Sequence, residues 1–239
     1  MGSDKLDTIR KLLAKAHGAA TVHEAEAFTA KAMELMARHG IDTAVIGAAR
    51  PGSDEIGATR VAIDSPYSAG KARLLAWTAA ALRCRAVLHE AWGGKVAEVS
   101  VFGFASDRER VEVLYTSLLL QATAQLTRQR PPRRGESVAA YRRSWLHGFA
   151  VEVQRRLVAA EKLGEAEAAR YAQSGRVGLV LAERTSRVEH AFAAAYPRLG
   201  TARRSSLSGT GFAAGAAAGG RADLGGPAVA LRGRRAIGA

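Results

Sequence analysis

His89-Glu90-Ala91-Trp92-Gly93 opens like the zinc-protease signature, in which two imidazoles one helical turn apart hold a metal and the glutamate between them acts as a base. Gly93 stands where the second imidazole is needed, so the pattern does not encode a zinc site. The remaining histidines, His17, His23, His39, His147 and His190, are dispersed, with no carboxylate and second histidine at ligand spacing, and each reads as a surface or turn residue. Gly70-Lys71-Ala72 lacks the upstream glycine and the hydroxyl of a phosphate-binding P-loop, which makes Lys71 an exposed helix residue. No Gly-x-Ser-x-Gly elbow occurs. Gly209-Thr210-Gly211-Phe212 imitates a phosphate loop, but in a biased segment where chance supplies such matches. Asp107, Glu109 and Glu112 fall in the first turns of a helix, where carboxylates complement the positive dipole end, so capping is preferred over acid–base work. The one cysteine, Cys84, excludes an intramolecular disulfide and reads as a small core residue, in keeping with a reducing compartment such as the cytoplasm. These residues yield no catalytic site, no metal site and no cofactor, and the balance leans away from an enzyme.

Charge is the feature that survives this sorting. Residues 1–127 carry 15 Lys+Arg against 14 Asp+Glu, whereas residues 128–239 carry 20 against 8, so nearly all of the net +13 lies in the second half. A basic segment joined to a near-neutral one points to a polyanionic partner. The candidate phosphate contacts are Arg130, Arg133 and Arg134 in a loop, the pair Arg142 and Arg143, and Arg203, Arg204, Arg234 and Arg235 near the C-terminal end. Clusters of this kind release counterions when they neutralise phosphates, which gives affinity without sequence readout. Arg155 and Arg156 form a further pair. Trp145 and Phe149 stand among these arginines as a candidate base-stacking platform, although aromatic residues at i and i+4 of an amphipathic helix usually belong to the core.

The elements that must position these groups follow from apolar spacing. Ile9, Leu12, Leu13 and Ala16 share one helical face, as do Ala25, Phe28, Ala32, Leu35 and Met36, with Thr21-Val22-His23-Glu24 as a capping box between the two helices and His39-Gly40 as the stop. The hairpin is too small to be stable unless it packs on the rest or on a partner. Beyond a polar linker at about 47–58, the pattern predicts a strand over 58–64, a helix over 68–82 and two strands, 84–90 and 95–102, joined across Ala91–Gly94. Ser106-Asp107-Arg108-Glu109 reads as a capping box for a helix to about Arg128, and Pro131-Pro132 separates it from a helix over 137–163 with the stripe Tyr141, Trp145, Phe149, Val153 and Leu157. Residues 176–183 read as a strand and 185–196 as a helix. Past Gly200 the Gly, Ala and Arg content predicts poor order, although Gly211, Gly215 and Gly219 would permit close helix packing.

The run from Lys5 to Ala16, then Glu24-Ala25-Glu26-Ala27 and Lys31 to Asp42, resembles the domain of unknown function 2786 found in bacteria and phages. That resemblance implies a fold element without any activity or catalytic residues. The region 65–200 is similar to the companion domain of unknown function 7168, which is equally silent about chemistry.

The expected architecture is α+β: a helical hairpin over 1–46, a mainly helical domain over 58–199 with a small, partly antiparallel sheet, and a low-complexity, flexible basic tail over 200–239. With no signal peptide and no apolar run approaching about 18 residues, the expectation is a cytoplasmic protein with no membrane contact. The leading functional expectation is non-enzymatic, non-sequence-specific binding of DNA or RNA through the Arg-rich half. A protein-interaction module for an acidic partner, and an enzyme whose site is assembled from scattered residues, stay open beside it.

Overall fold

Tyr141, Trp145, Phe149, Val153 and Leu157, four residues apart, are all buried. The helix they line, α5 (Val138–Tyr171), is the longest among the described residues, and α2, α3, α4, α6 and α7 pack against it. The computed structural model describes residues 2–18, 22–50, 52–91, 95–132, 134–171, 176–200 and 208–222. Within them the order is α1 (Gly2–Gly18), α2 (Val22–Ala49), β1 (Ile56–Ala62), α3 (Ser68–Ala81), β2 (Arg85–Ala91), β3 (Lys95–Phe104), α4 (Ala105–Leu126), α5, α6 (Arg176–Ala195) and α7 (Phe212–Arg221). The molecule is thus α+β and mainly helical, as expected, and among the described residues no helix is long and apolar enough to cross a membrane.

The three strands form an antiparallel sheet in the order β1-β3-β2, with Thr59 opposite Val101 and Val87 opposite Ser100. Alternation along β3 divides its side chains between two cores. Val99 and Val101 join the main core with Leu74 and Leu75 of α3 and Leu114 and Leu118 of α4, whereas Phe102 and Phe104 meet Val188 and Phe192 of α6 on the opposite face. Ile9 and Leu13 of α1, with Ala32 and Met36 of α2, are buried in the same main core. The hairpin therefore gains the apolar cover that its own size cannot provide. The Thr21 capping box, the 92–94 turn and the side chains of Ala16 and Ala25 lie outside the described residues.

Four expectations are corrected. Helix α2 does not stop at His39-Gly40 but runs on to Ala49. Gly40 is there because a Cβ would sit 2.3 Å from Nη1 of Arg110, so the missing side chain makes room for a guanidinium inside the helix pair. The Ser106 capping box does not form: the amide and hydroxyl of Ser106 donate to Oδ1 and Oδ2 of Asp54 at 3.1 and 2.7 Å, so the α4 N-terminus is capped from the distant loop before β1. Residues 176–183 are helical, since Val177, Leu181, Arg184 and Val188 are buried at a spacing near four, while Leu179, which a strand would place on the same face as Val177 and Leu181, is 71% exposed. Finally, part of the segment expected to be poorly ordered is a built element, α7, whose Ala218 and the following Ala222 enter the main core. The rest of that segment, 201–207 and 223–239, lies outside the described residues.

Candidate nucleic-acid interface

Helix α4 ends at Leu126, and the amides of Thr127, Arg128 and Gln129 turn back to the carbonyls of Thr123, Gln125 and Leu126. The carbonyls of the loop that follows are bound by arginines. Arg130 donates to the carbonyls of Thr127 and Gln129 at 3.2 and 3.1 Å, and Arg142, reaching back from α5, donates to the same two at 2.6 and 3.2 Å. Neither contact involves a carboxylate, and no ion pair is seen for either group among the described residues, so the guanidinium groups are held in place by neutral carbonyls. Arg128, Arg134 and Arg143 are exposed, and no side-chain hydrogen bond or ion pair is seen for them among the described residues. Of the nine arginines singled out from sequence, the structure thus brings Arg130, Arg134, Arg142 and Arg143 to one end of α5. Arg133, Arg203, Arg204, Arg234 and Arg235 lie outside the described residues. The other pair is engaged elsewhere: Arg155 binds Glu152 at 2.6 Å, and Arg156 donates to the carbonyls of Gly219 and Ala222 at the C-terminal end of α7.

The same end of the molecule receives the start of α7. Gly211 lies against the Tyr141 carbonyl, Gly215 against that of Trp145 and Gly219 against that of Phe149, so α7 runs parallel to α5. A Cβ on Gly215 would fall 1.8 Å from the Trp145 oxygen, and one on Gly148 of α5 would fall 2.1 Å from the Phe212 oxygen. Contact this close requires glycine on both sides, which is what the spacing of four permits. The positive dipole ends of both helices consequently face the basic loop. Glu136 accepts from the amide and hydroxyl of Thr210 at 2.7 and 2.8 Å, closing the α7 start with a carboxylate from this chain, so Gly209-Thr210-Gly211 serves as a helix entry. A cleft of about 410 Å³ remains beside it, lined by Arg134, Ser137, Ala140, Ser208 and Thr210 among others.

Trp145 and Phe149 are stacked at 5.5 Å between centroids and buried, so they belong to the core and offer no platform. Another aromatic group does reach the surface and was not legible in the sequence. Trp77 of α3, His147 of α5 and Phe212 of α7 stand in a row with centroids 5.5 and 5.6 Å apart, and Arg73 lies over Trp77 at 5.8 Å. Nη1 of Arg73 donates to Nδ1 of His147 at 3.2 Å, which places the imidazole proton on Nε2. Burial and the Arg73 charge hold this imidazole below its usual pKa, so it is neutral at pH 7.

The histidines are less superficial than expected. His39 is buried, with its pKa lowered by burial and then by Arg110, and His89 shares a 2.7 Å hydrogen bond with Ser100 across β2 and β3. Lys71, expected as an exposed helix residue, is partly covered and donates to the Asp64 carbonyl at 2.9 Å. Burial pushes the Cys84 thiol up to about 12, consistent with a core role. Among the described residues no group of three His, Cys, Asp or Glu is placed to hold a metal ion.

A second charged constellation is internal. Arg110, fully buried, pairs with Asp107 at 3.1 Å and with Glu161, whose other oxygen meets Arg83 at 3.0 Å. Arg184 joins Asp107 at 2.8 Å and Asp54 at 2.9 Å while its guanidinium covers the Phe104 ring at 3.7 Å. Burial opposes the charge on Arg110, but Glu161 and Asp107 outweigh it. The network ties the loop before β1 to α4, α5 and α6. Its one sequence signal is Arg184 at a position of the α6 stripe that otherwise carries apolar residues.

Residues 5–43 match the family described as protein of unknown function DUF2786. No curated protein and no solved structure matches the chain.

Proposed function

We propose that this chain associates with nucleic acid without reading its sequence, through arginines grouped around the α4–α5 loop, with the N-terminal hairpin as a structural or docking module. The observation that carries this reading is the exposure of Arg128, Arg130, Arg134 and Arg143 at one end of α5, where Glu136 is already engaged by Thr210. Guanidinium groups suit phosphate oxygens, and two parallel helix starts add to the positive potential there. Arg133, Arg203, Arg204, Arg234 and Arg235 extend the proposed contact set, and residues 65–200 are proposed, on resemblance, to correspond to the companion domain of unknown function 7168.

The test is fluorescence-polarisation binding of the full chain to labelled duplex DNA, single-stranded DNA and RNA across a salt series. Steeply salt-dependent binding is expected, and Arg128→Glu with Arg134→Glu should weaken it for every sequence and lower the log–log salt slope by about 2. Unchanged affinity and slope would remove the loop from the interface. A co-purifying acidic protein, with no nucleic acid bound, would favour the alternative of a protein-interaction module.

A further inference from the structure

The row Trp77, His147 and Phe212 is built from three helices distant in sequence, and none of the three side chains is fully buried. Phe212 is 43% exposed although it opens a helix whose glycines pack tightly on α5, so its ring projects while its backbone is fixed. The row adjoins the basic end on two sides. Arg143 lies four residues before His147, one turn away on the same face of α5. Thr210, two residues before Phe212, lines the cleft that also holds Arg134.

Rings that reach the surface beside guanidinium groups, here exposed Phe212 with half-buried His147 and Trp77, are what unpaired nucleotides require, because each has a free base π-face to stack and a phosphate to neutralise. In a duplex those faces are already occupied by neighbouring base pairs, leaving only phosphates and groove edges. We propose that Trp77, His147 and Phe212 stack the bases of single-stranded nucleic acid whose phosphates lie along Arg143 and Arg134, making the preferred partner unpaired strand over duplex. This rests on the nucleic-acid reading above and narrows it.

The experiment compares labelled oligo-dT, oligo-U and duplex DNA of about 20 nucleotides with the full-length chain and its variants. Phe212→Ala and Phe212→Leu should each weaken single-strand binding about tenfold and duplex binding less than about twofold, while Phe212→Trp should restore single-strand affinity. Leu keeps apolar cover on α7 without a π-face, so an equal loss in both variants, at unchanged circular dichroism, separates stacking from packing. Similar affinities for oligo-dT and oligo-U show that the strand is taken through base and phosphate, whereas preference for oligo-U adds a contact to the 2′-hydroxyl; both agree with the proposal. Single-strand affinity within about twofold of wild type for Phe212→Ala, or an equal loss on duplex, overturns it. If Arg134→Glu with Arg143→Glu weakens all three ligands while Phe212→Ala weakens none, stacking alone falls. If wild type binds none of them, both readings fall.

Discussion

Gly40 shows how one missing side chain decides what a helix can hold. Alanine would ordinarily gain about 1 kcal/mol over glycine inside a helix. Here its Cβ would meet Arg110, whose guanidinium is tied to Asp107 and Glu161 and cannot retreat. Gly40→Ala is therefore expected to lower unfolding free energy by about 1–3 kcal/mol in urea titration. Gly178 of α6 is the opposite case, since a Cβ there meets nothing within 4 Å, and Gly178→Ala should add about 0.5–1 kcal/mol. His39 predicts a pH response. Its pKa is lowered in the fold by burial and by Arg110, so below about pH 6.5 the unfolded chain takes up a proton that the folded chain resists. Stability is thus full above that pH and declines as the pH falls through it, and His147 adds a contribution of the same sign. Melting temperatures between about pH 8 and 5.5 should show the decline, flattened in His39→Gln.

At the level of elements, α7 depends on surface shape more than on sequence propensity. It is a ten-residue helix rich in glycine, too short and too weak a helix former to persist alone. Its backbone lies on that of α5 at three glycines, and Arg156 holds its last carbonyls. Gly215→Val would press methyl groups onto the Trp145 carbonyl, which is part of a rigid helix and cannot shift. The expected result is loss of hydrogen-exchange protection over 212–221 with α5 still protected, and a stability loss of about 2 kcal/mol or more. Arg156→Ala should cost less, about 0.5–1.5 kcal/mol, because it removes hydrogen bonds at the α7 end without adding bulk between the helices.

Across the whole molecule the charges divide into two populations with separable effects. Arg110, Arg184, Asp54, Asp107 and Glu161 join four parts of the fold in its interior, so Arg184→Ala leaves buried Asp54 without a cation and Asp107 with Arg110 alone, and should cost about 3 kcal/mol while leaving the exposed arginines as they are. Arg134→Glu should do the reverse, moving stability by under about 0.5 kcal/mol while reducing polyanion binding. By itself the sequence determined most helices and strands, because burial of one face imposes a period of 3.6 or 2 that Ile9, Leu13, Trp145, Phe149 and Val99 obey. It also determined the net charge of the second half and the exclusion of the zinc-protease and P-loop patterns. It misjudged 176–183 because Val177, Leu179 and Leu181 alternate as a strand would, while Val177 and Leu181 alone also fit a helix, and only packing against α2 shows that these two are the buried ones. Partner choice was beyond it: Asp54 capping α4 from 52 residues away, Gly40 yielding space to Arg110, and Trp77, His147 and Phe212 meeting at one surface are all contacts between distant segments. Local spacing fixes which face a side chain takes, whereas what it meets there depends on how the helices and sheet pack in three dimensions.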